Sequence, residues 1–221
     1  MYNINLVCTR HEECGNCNSM ELYSIIEKIG PEIIFEELSY SNFDMAYNQN
    51  SLPTVETNAV KQYLLNRQVE HIPVDTYALP EFYHKQVDQM LDKVFRGVGQ
   101  NSFRLRGLLD RQYGYTSQHG FKYLNSDYHD NLIEEHYRLR VAVLNELNDE
   151  RWFSINNLDK EIIEKREFEI LTNIYKYSND NPYEQALMLI GAGHRKSIFT
   201  LIEKFKIQEE LKLNWAFYAE N

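Results

Sequence analysis

Three residues in this 221-residue chain have the side-chain types of a reactive centre: His11, Glu37 and His194. Two neutral imidazoles and a carboxylate form a partial shell for a divalent transition ion, with Mn, Co, Zn and Fe all suitable. Asp75 is a further candidate ligand. A bound ion would lower the pKa of a water molecule and polarise a scissile group. Whichever of Glu36 and Glu37 is not a ligand would then act as general base. Arg166 carries a planar guanidinium that suits a developing negative charge. Each residue also has a plainer reading. His194 starts a helix, where the macrodipole disfavours the charged ring and keeps it neutral. Arg166 is three residues from Glu169, within reach of a helix ion pair. Of Glu36 and Glu37, one is expected to be solvated. Glu37 is the preferred site residue because it keeps the strand parity of Ile33 and Phe35.

The elements that must position these side chains follow from periodicity. Residues 3–9 form a short apolar strand, and His11 sits in the loop after it. Asn18 or Ser19 can cap a helix in which Leu22, Ile25, Ile26 and Ile29 recur at helical spacing, and Gly30-Pro31 ends it. Ile33-Ile34-Phe35 is β-branched and aromatic, a second strand with Glu36 and Glu37 at its end. Strand, helix, strand in so short a span is a βαβ unit with parallel pairing. Residues 55–67 read as helix and 71–75 as a third strand, whose Pro73 argues for an edge position or an early place in the strand. A helix over 159–177 carries Arg166. Residues 186–190 (ALMLI) are a continuous apolar run, as in a strand buried on both faces. Gly191-Ala192-Gly193-His194 closes it, and a last helix covers about 197–212. In an open parallel sheet, ligands bind beyond the carboxyl ends of the strands. His11, Glu37, Asp75 and His194 are therefore expected on one rim. The fold class is α/β: a mostly parallel central sheet flanked by helices, in a single domain over 1–221.

Between about 80 and 150 the pattern is mostly helical, with apolar stripes in EFYHKQVDQMLDKVF and DNLIEEHYRLRVAVLNEL. No Pro/Ser linker bounds this stretch, so it is a helical insertion rather than a second domain. Residues 97–120 contain Gly97, Gly99, Gly107, Gly114 and Gly120 together with Arg104, Arg106 and Arg111, just after Arg96. This segment is expected to be a flexible cover over the rim that gathers an anionic substrate. The plainer alternatives are an enlarged core, arginines paired with an acidic surface, or a contact between copies in a homo-oligomer.

Composition removes several function classes. Lys and Arg number 23 against 33 Asp and Glu, a net charge of −10, and no cationic run is long enough to track phosphates. Nucleic acid is thus not an expected partner; a small molecule or peptide is. No stretch approaches the ~20 apolar residues that span a bilayer. The first residues lack the basic start and apolar run of a signal peptide, so the expected location is the cytoplasm. There is no phosphate-binding loop of G-x-x-x-x-G-K-[ST] form, no H-E-x-x-H and no G-x-S-x-G.

The residues around the candidate site also carry a likeness. VCTRHEECGNCNSMELYSIIEKIGPEIIFEEL resembles the opening of the TraB/Tiki superfamily, which takes in the pheromone-shutdown proteins and has ChaN and erythromycin-esterase-like relatives. That opening runs strand, G-x-x-H, loop, Ser-x-x-Glu on a helix, Pro-Asp, four apolar residues and Glu-Leu. It corresponds here to Cys8-Thr9-Arg10-His11, Ser19-Met20-Glu21, Pro31-Glu32 and Glu37-Leu38, with Cys8 in place of the first Gly and the Ser–Glu spacing shortened by one. The closing G-x-G-H matches Gly191-Ala192-Gly193-His194, and an Arg-bearing helix before it matches Arg166-Glu167. The resemblance covers about half of the chain. It implies an α/β fold and, from the Tiki branch, metal-dependent proteolysis; the superfamily as a whole spans peptide, ester and ligand-binding roles.

Two rival readings remain. Cys8, His11, Cys14 and Cys17 are spaced as a compact zinc knot, although Cys8 and His11 would have to fold back within three residues at a strand end. Otherwise Cys8 is a buried inert thiol. The second reading makes the same scaffold a non-catalytic module that binds a ligand or a protein through aromatics such as Tyr83, Phe95 and Tyr113. His71, His84, His119, His129 and His136 are expected to be surface or satisfied core residues.

Overall fold

The computed structural model describes residues 2–75, 79 and 81–218. Its centre is a five-stranded, all-parallel sheet in the order β3-β2-β4-β1-β5. The strands are β1 (Tyr2–Thr9), β2 (Ile33–Glu36), β3 (Glu70–Pro73), β4 (Gln185–Gly191) and β5 (Leu213–Phe217). β4 takes the central position because Ala186 to Ile190 is apolar without interruption, so both of its faces bury against helices. β3, which carries Pro73, is an edge strand as expected. Because every pairing is parallel, Thr9, Glu36, Pro73 and Gly191 all end on one rim.

Two features of the sheet differ from the sequence reading. β1 and β2 are parallel but not neighbours; β4 inserts between them, with Leu6 opposite Met188 and Phe35 opposite the same Met188 on the other side. A local βαβ pattern fixes direction, whereas adjacency goes to whichever strand buries most apolar surface. The second is β5, which follows the last helix, expected to end at about 212, and has no counterpart in the sequence reading. Its residues LNWAF alternate buried and open against β1, too briefly for the periodicity to stand out.

Among the described residues eight α-helices pack around the sheet: α1 (Ser19–Ile29), α2 (Tyr40–Tyr47), α3 (Val55–Leu64), α4 (Glu81–Arg96), α5 (Gln100–Leu124), α6 (Asp127–Leu147), α7 (Glu150–Asp180) and α8 (Arg195–Gln208). Asn18 caps α1 by accepting the Glu21 amide, and Gly30, with φ of 61°, ends it. α2 has no counterpart in the sequence reading; Ser39 caps it, but its eight residues bury only Ala46.

The helical stretch after β3 runs through α7, past the expected end near 150, and its expected start near 80 touches residues outside those described. The segment 97–120 is not the expected flexible connection. It belongs almost wholly to α5, which buries Leu105, Leu108 and Thr116 despite Gly107 and Gly114. The helix changes direction at Gly120 (φ 52°), where a side chain would meet the carbonyl of Asn16 at 2.6 Å. Gly15 lies equally close to Ser117, and the Asn16 amide donates to the Ser117 carbonyl at 2.9 Å. Two glycines thus dock α5 against the loop that carries His11. The arginines are engaged: Arg96 with Asp92, Arg104 with Glu135, and Arg106 with the carbonyls of Phe95 and Gly97. They are committed to the acidic and carbonyl groups of the helices, which is the plainer of the two expectations.

Candidate active site

The carboxyl rim opens into a cleft of about 350 Å³ lined by residues from six elements and their connections, including Thr9, His11, Glu37, Glu56, Asp75 and Arg166. Glu37 follows β2 directly, and its backbone amide still pairs with Leu189 of β4 at 3.3 Å. Its carboxylate gathers three donors. The Gly191 amide donates to Oε2 at 2.7 Å, Arg166 Nη2 to Oε1 at 3.1 Å, and His194 Nε2 approaches Oε1 at 3.2 Å. Burial by itself would raise this carboxyl; the charge and hydrogen bond of His194, the Gly191 amide and Arg166 outweigh it and hold the pKa at about 2.

His194 ends the 3₁₀ turn Ala192–His194 at the start of α8. Its Nδ1 donates to Glu167 Oε1 at 2.7 Å, and Ser197 donates to the same oxygen at 2.6 Å. Burial alone would lower the pKa of this ring, but Glu37 and Glu167 raise it to about 10. The sequence reading, in which the helix start keeps the ring neutral, is therefore corrected. A helix end is worth ~0.3–1 kcal/mol, and two carboxylates in direct contact outweigh that.

His11 sits in the loop after β1, and its carbonyl accepts from the Val55 amide at 2.9 Å, which ties the loop to the start of α3. Its Nδ1 donates to Glu56 Oε1 at 3.2 Å, and Thr9 donates to that oxygen at 2.6 Å. The Glu56 hydrogen bond raises the His11 pKa against the opposing effect of burial. With Nδ1 held, Nε2 is the ring nitrogen left for a ligand, and the side chain is 65% exposed. Glu36, the neighbour of Glu37, is only 2% exposed and accepts from Tyr47 and from His71 Nδ1, the latter at 2.8 Å. Neither member of the Glu36–Glu37 pair is solvated, contrary to expectation.

Arg166 faces the rim rather than Glu169, which pairs with Lys165 at 3.8 Å. It grips Asp75 with Nε at 3.1 Å and Nη2 at 2.6 Å while also reaching Glu37. Adjacent residues on α7 thus serve the site in different ways: Arg166 fixes Glu37 and Asp75, and Glu167 fixes His194. Sequence reasoning missed Glu56 and Glu167 as site residues. Glu56, in the first turn of α3, looks like an ordinary complement to the helix dipole.

No family model, curated protein or solved structure matches the chain. The site rests on its own geometry.

That geometry bears on the expected metal. Among the described residues no three His, Cys, Asp or Glu side chains converge as a shell for an ion. Asp75 is held by Arg166, Glu37 by three donors, and both ring nitrogens of His194 by carboxylates. As placed, the donors do not fit a metal. The zinc knot fails in the same way: Cys8, Cys14 and Cys17 are free and buried, and burial pushes the Cys17 thiol up to about 12. Cys14 and Cys17 instead pair backbone to backbone in a tight bridge. No helix among the described residues is long and apolar enough to cross a membrane.

Proposed function

We propose that this protein is a hydrolase of peptide, ester or phosphoester bonds, with its reacting centre in the cleft lined by His11 and Glu37, the latter in contact with His194. The observation that carries this reading is the Glu56–His11 pair: a buried carboxylate fixes Nδ1 of an imidazole that lines an open cleft. A carboxylate in that position holds the tautomer and stabilises the imidazolium that forms when Nε2 takes a proton. His11, not Glu36 or Glu37, is then the general base. Its Nε2 removes a proton from water as the water oxygen attacks the carbonyl carbon or phosphorus. The bond to the leaving group breaks, and that group takes the proton that His11 Nε2 received from the water. The charged ring of His194 is fixed between Glu37 and Glu167 beside the cleft, and Arg166 with the Gly191 amide holds Glu37. The likeness to the TraB/Tiki superfamily, whose roles include ester and peptide hydrolysis, supports hydrolysis as such; its Tiki branch implies the metal-dependent form. The acidic composition agrees with an enzyme for small molecules or peptides, which we place in the cytoplasm.

A second reading makes the cleft a divalent metal centre with His11, Glu37 and His194 as ligands. One observation favours it: both histidines carry a buried carboxylate on Nδ1, the usual support of metal-bound imidazoles. The two readings separate in one experiment, hydrolysis of p-nitrophenyl acetate, p-nitrophenyl phosphate and a peptide mixture before and after chelation. Turnover that survives chelation and disappears in the His11→Ala/His194→Ala double variant supports the acid–base reading. Turnover abolished by the chelator and restored by Mn, Co or Zn replaces it with the metal reading. Equal turnover in wild type and variant removes both and leaves a binding module.

A further inference from the structure

The cleft combines an excess of negative charge with a carboxylate oxygen that the protein's own donors leave unsatisfied. Glu36, Glu37, Glu56 and Asp75 line it, with Glu167 just behind His194. Facing these five carboxylates are Arg166 and the imidazoles of His11, His71 and His194, so negative charge is in excess whatever the protonation of the rings. Four of the carboxylates have two or more donors each or a bidentate grip: Glu36 from Tyr47 and His71, Glu37 from Gly191, Arg166 and His194, Glu167 from His194 and Ser197, Asp75 from Arg166.

Glu56 differs from the others. Its residue is only 9% exposed, and both of its donors, Thr9 and His11, converge on Oε1. Oε2 is buried and has no hydrogen-bond donor among the described residues. An ionised oxygen left in that state is unfavourable, and a ligand supplying a donor would relieve it. The surrounding wall is apolar and hydroxylic, with Leu52, Thr57 and Ile190. Such a wall leaves room for the carbon stem of a side chain beside the charged end.

We propose that this cleft is specific for substrates carrying a protonated amine next to the scissile bond, with Glu56 Oε2 as its acceptor. The proposal rests on the hydrolase reading for the word substrate; the binding it requires does not. The ammonium donates to Oε2 while Oε1 keeps its bonds to Thr9 and His11. One carboxylate therefore reads the substrate and aligns the base. An amine at this point sits beside His11, where the water is activated, so recognition and chemistry are coupled through a single side chain.

The test uses binding, so that its failure and the failure of hydrolysis are separable. Benzylamine and benzyl alcohol, alike in shape but not in charge, are titrated into the wild-type protein at pH 7 by calorimetry, with amide chemical shifts followed in parallel. The expected result is that benzylamine binds at least about tenfold more tightly, the scale of one charge-assisted hydrogen bond, and shifts the amides of Thr9, His11 and Thr57. In Glu56→Gln the preference for the amine should fall about tenfold. Equal affinity for amine and alcohol, or shifts confined to another part of the molecule, overturns the proposal. So does an undiminished preference in a folded Glu56→Gln protein. If that variant does not fold, the wild-type preference and its location decide the matter alone.

Discussion

His194 on the rim and His136 in the helical region are both shielded from solvent, yet they are held in opposite charge states. His136 is on α6, stacked on Phe95 of α4 at 6.4 Å, and burial together with Arg140 one turn away lowers its pKa to about 4. His194 meets two carboxylates and rises to about 10. Burial pushes both rings the same way; only the partners differ. The helical region uses its carboxylates structurally, as where Asp159 accepts from Tyr83 at 2.6 Å and faces Arg140 at 3.6 Å. The rim pairs its carboxylates with imidazoles, which can move protons. α7 joins the two regions, carrying Asp159 at one end and Arg166 and Glu167 further along.

The largest effect expected from this contrast is on catalysis. His11→Ala should lower kcat by about 10²–10⁴, the usual contribution of a positioned base; His194→Ala, which removes a donor from Glu37, should lower it less, and His136→Ala should leave it within about twofold. Steady-state rates on the best ester or peptide substrate check this, and an equal loss in all three would erase the distinction between the regions. The pH–rate profile adds a sign. A base must be deprotonated, and Glu56 holds His11 above its ordinary value, so activity should climb with pH through a midpoint above 6.5.

Next in size is Arg166→Met. It leaves Glu37 and Asp75 without their shared cation in a site where the Arg166 side chain is only 20% exposed. A loss of about 2–4 kcal/mol is expected, read from the urea midpoint. Arg104→Ala, which breaks an exposed 3.9 Å pair with Glu135, should cost under about 0.5 kcal/mol. Comparable losses would mean that the rim network is no tighter than a surface pair.

The pH dependence of stability then separates the two histidines by sign. The His194 contribution is complete below pH 6.5 and is lost as pH rises through about 10. Glu37 contributes above pH 4.5 and loses that contribution as pH falls through about 2. His136 acts the other way: its folded pKa is depressed, so stability falls as pH drops from 6.5 through about 4. His194→Gln should flatten the alkaline limb and His136→Gln the acid limb, each by a few degrees of Tm, since 1 kcal/mol is about 2–4 °C at this size. Thermal melts from pH 3 to 10 would show both, and a change in the same limb for both variants would contradict the contrast.

The smallest effect has the opposite direction. Gly107 is inside α5, and a side chain there would meet nothing within 4 Å. Gly107→Ala should therefore stabilise by about 0.5–1 kcal/mol. If it destabilises instead, the 97–120 segment is not the continuous helix that distinguishes it from a flexible cover.

The parallel α/β class and the rim that gathers His11, Glu37, Asp75 and His194 were legible in the chain alone. Strand periodicity, the uninterrupted ALMLI run and residues placed just past strand ends are local signals, and parallel pairing turns them into one shared edge. Three things were decided only by tertiary structure. β4 separates β1 from β2 because the most apolar strand takes the most buried position. Residues 97–120 are helical because packing of Leu105 and Leu108 outweighs the weak propensity of two glycines. The identity of the proton-holding partners, Glu56 for His11 and Glu167 for His194, depends on contacts across 45 and 27 residues. No spacing rule encodes such pairs. A carboxylate on a helix becomes part of a site only when another element brings an imidazole to within hydrogen-bond distance.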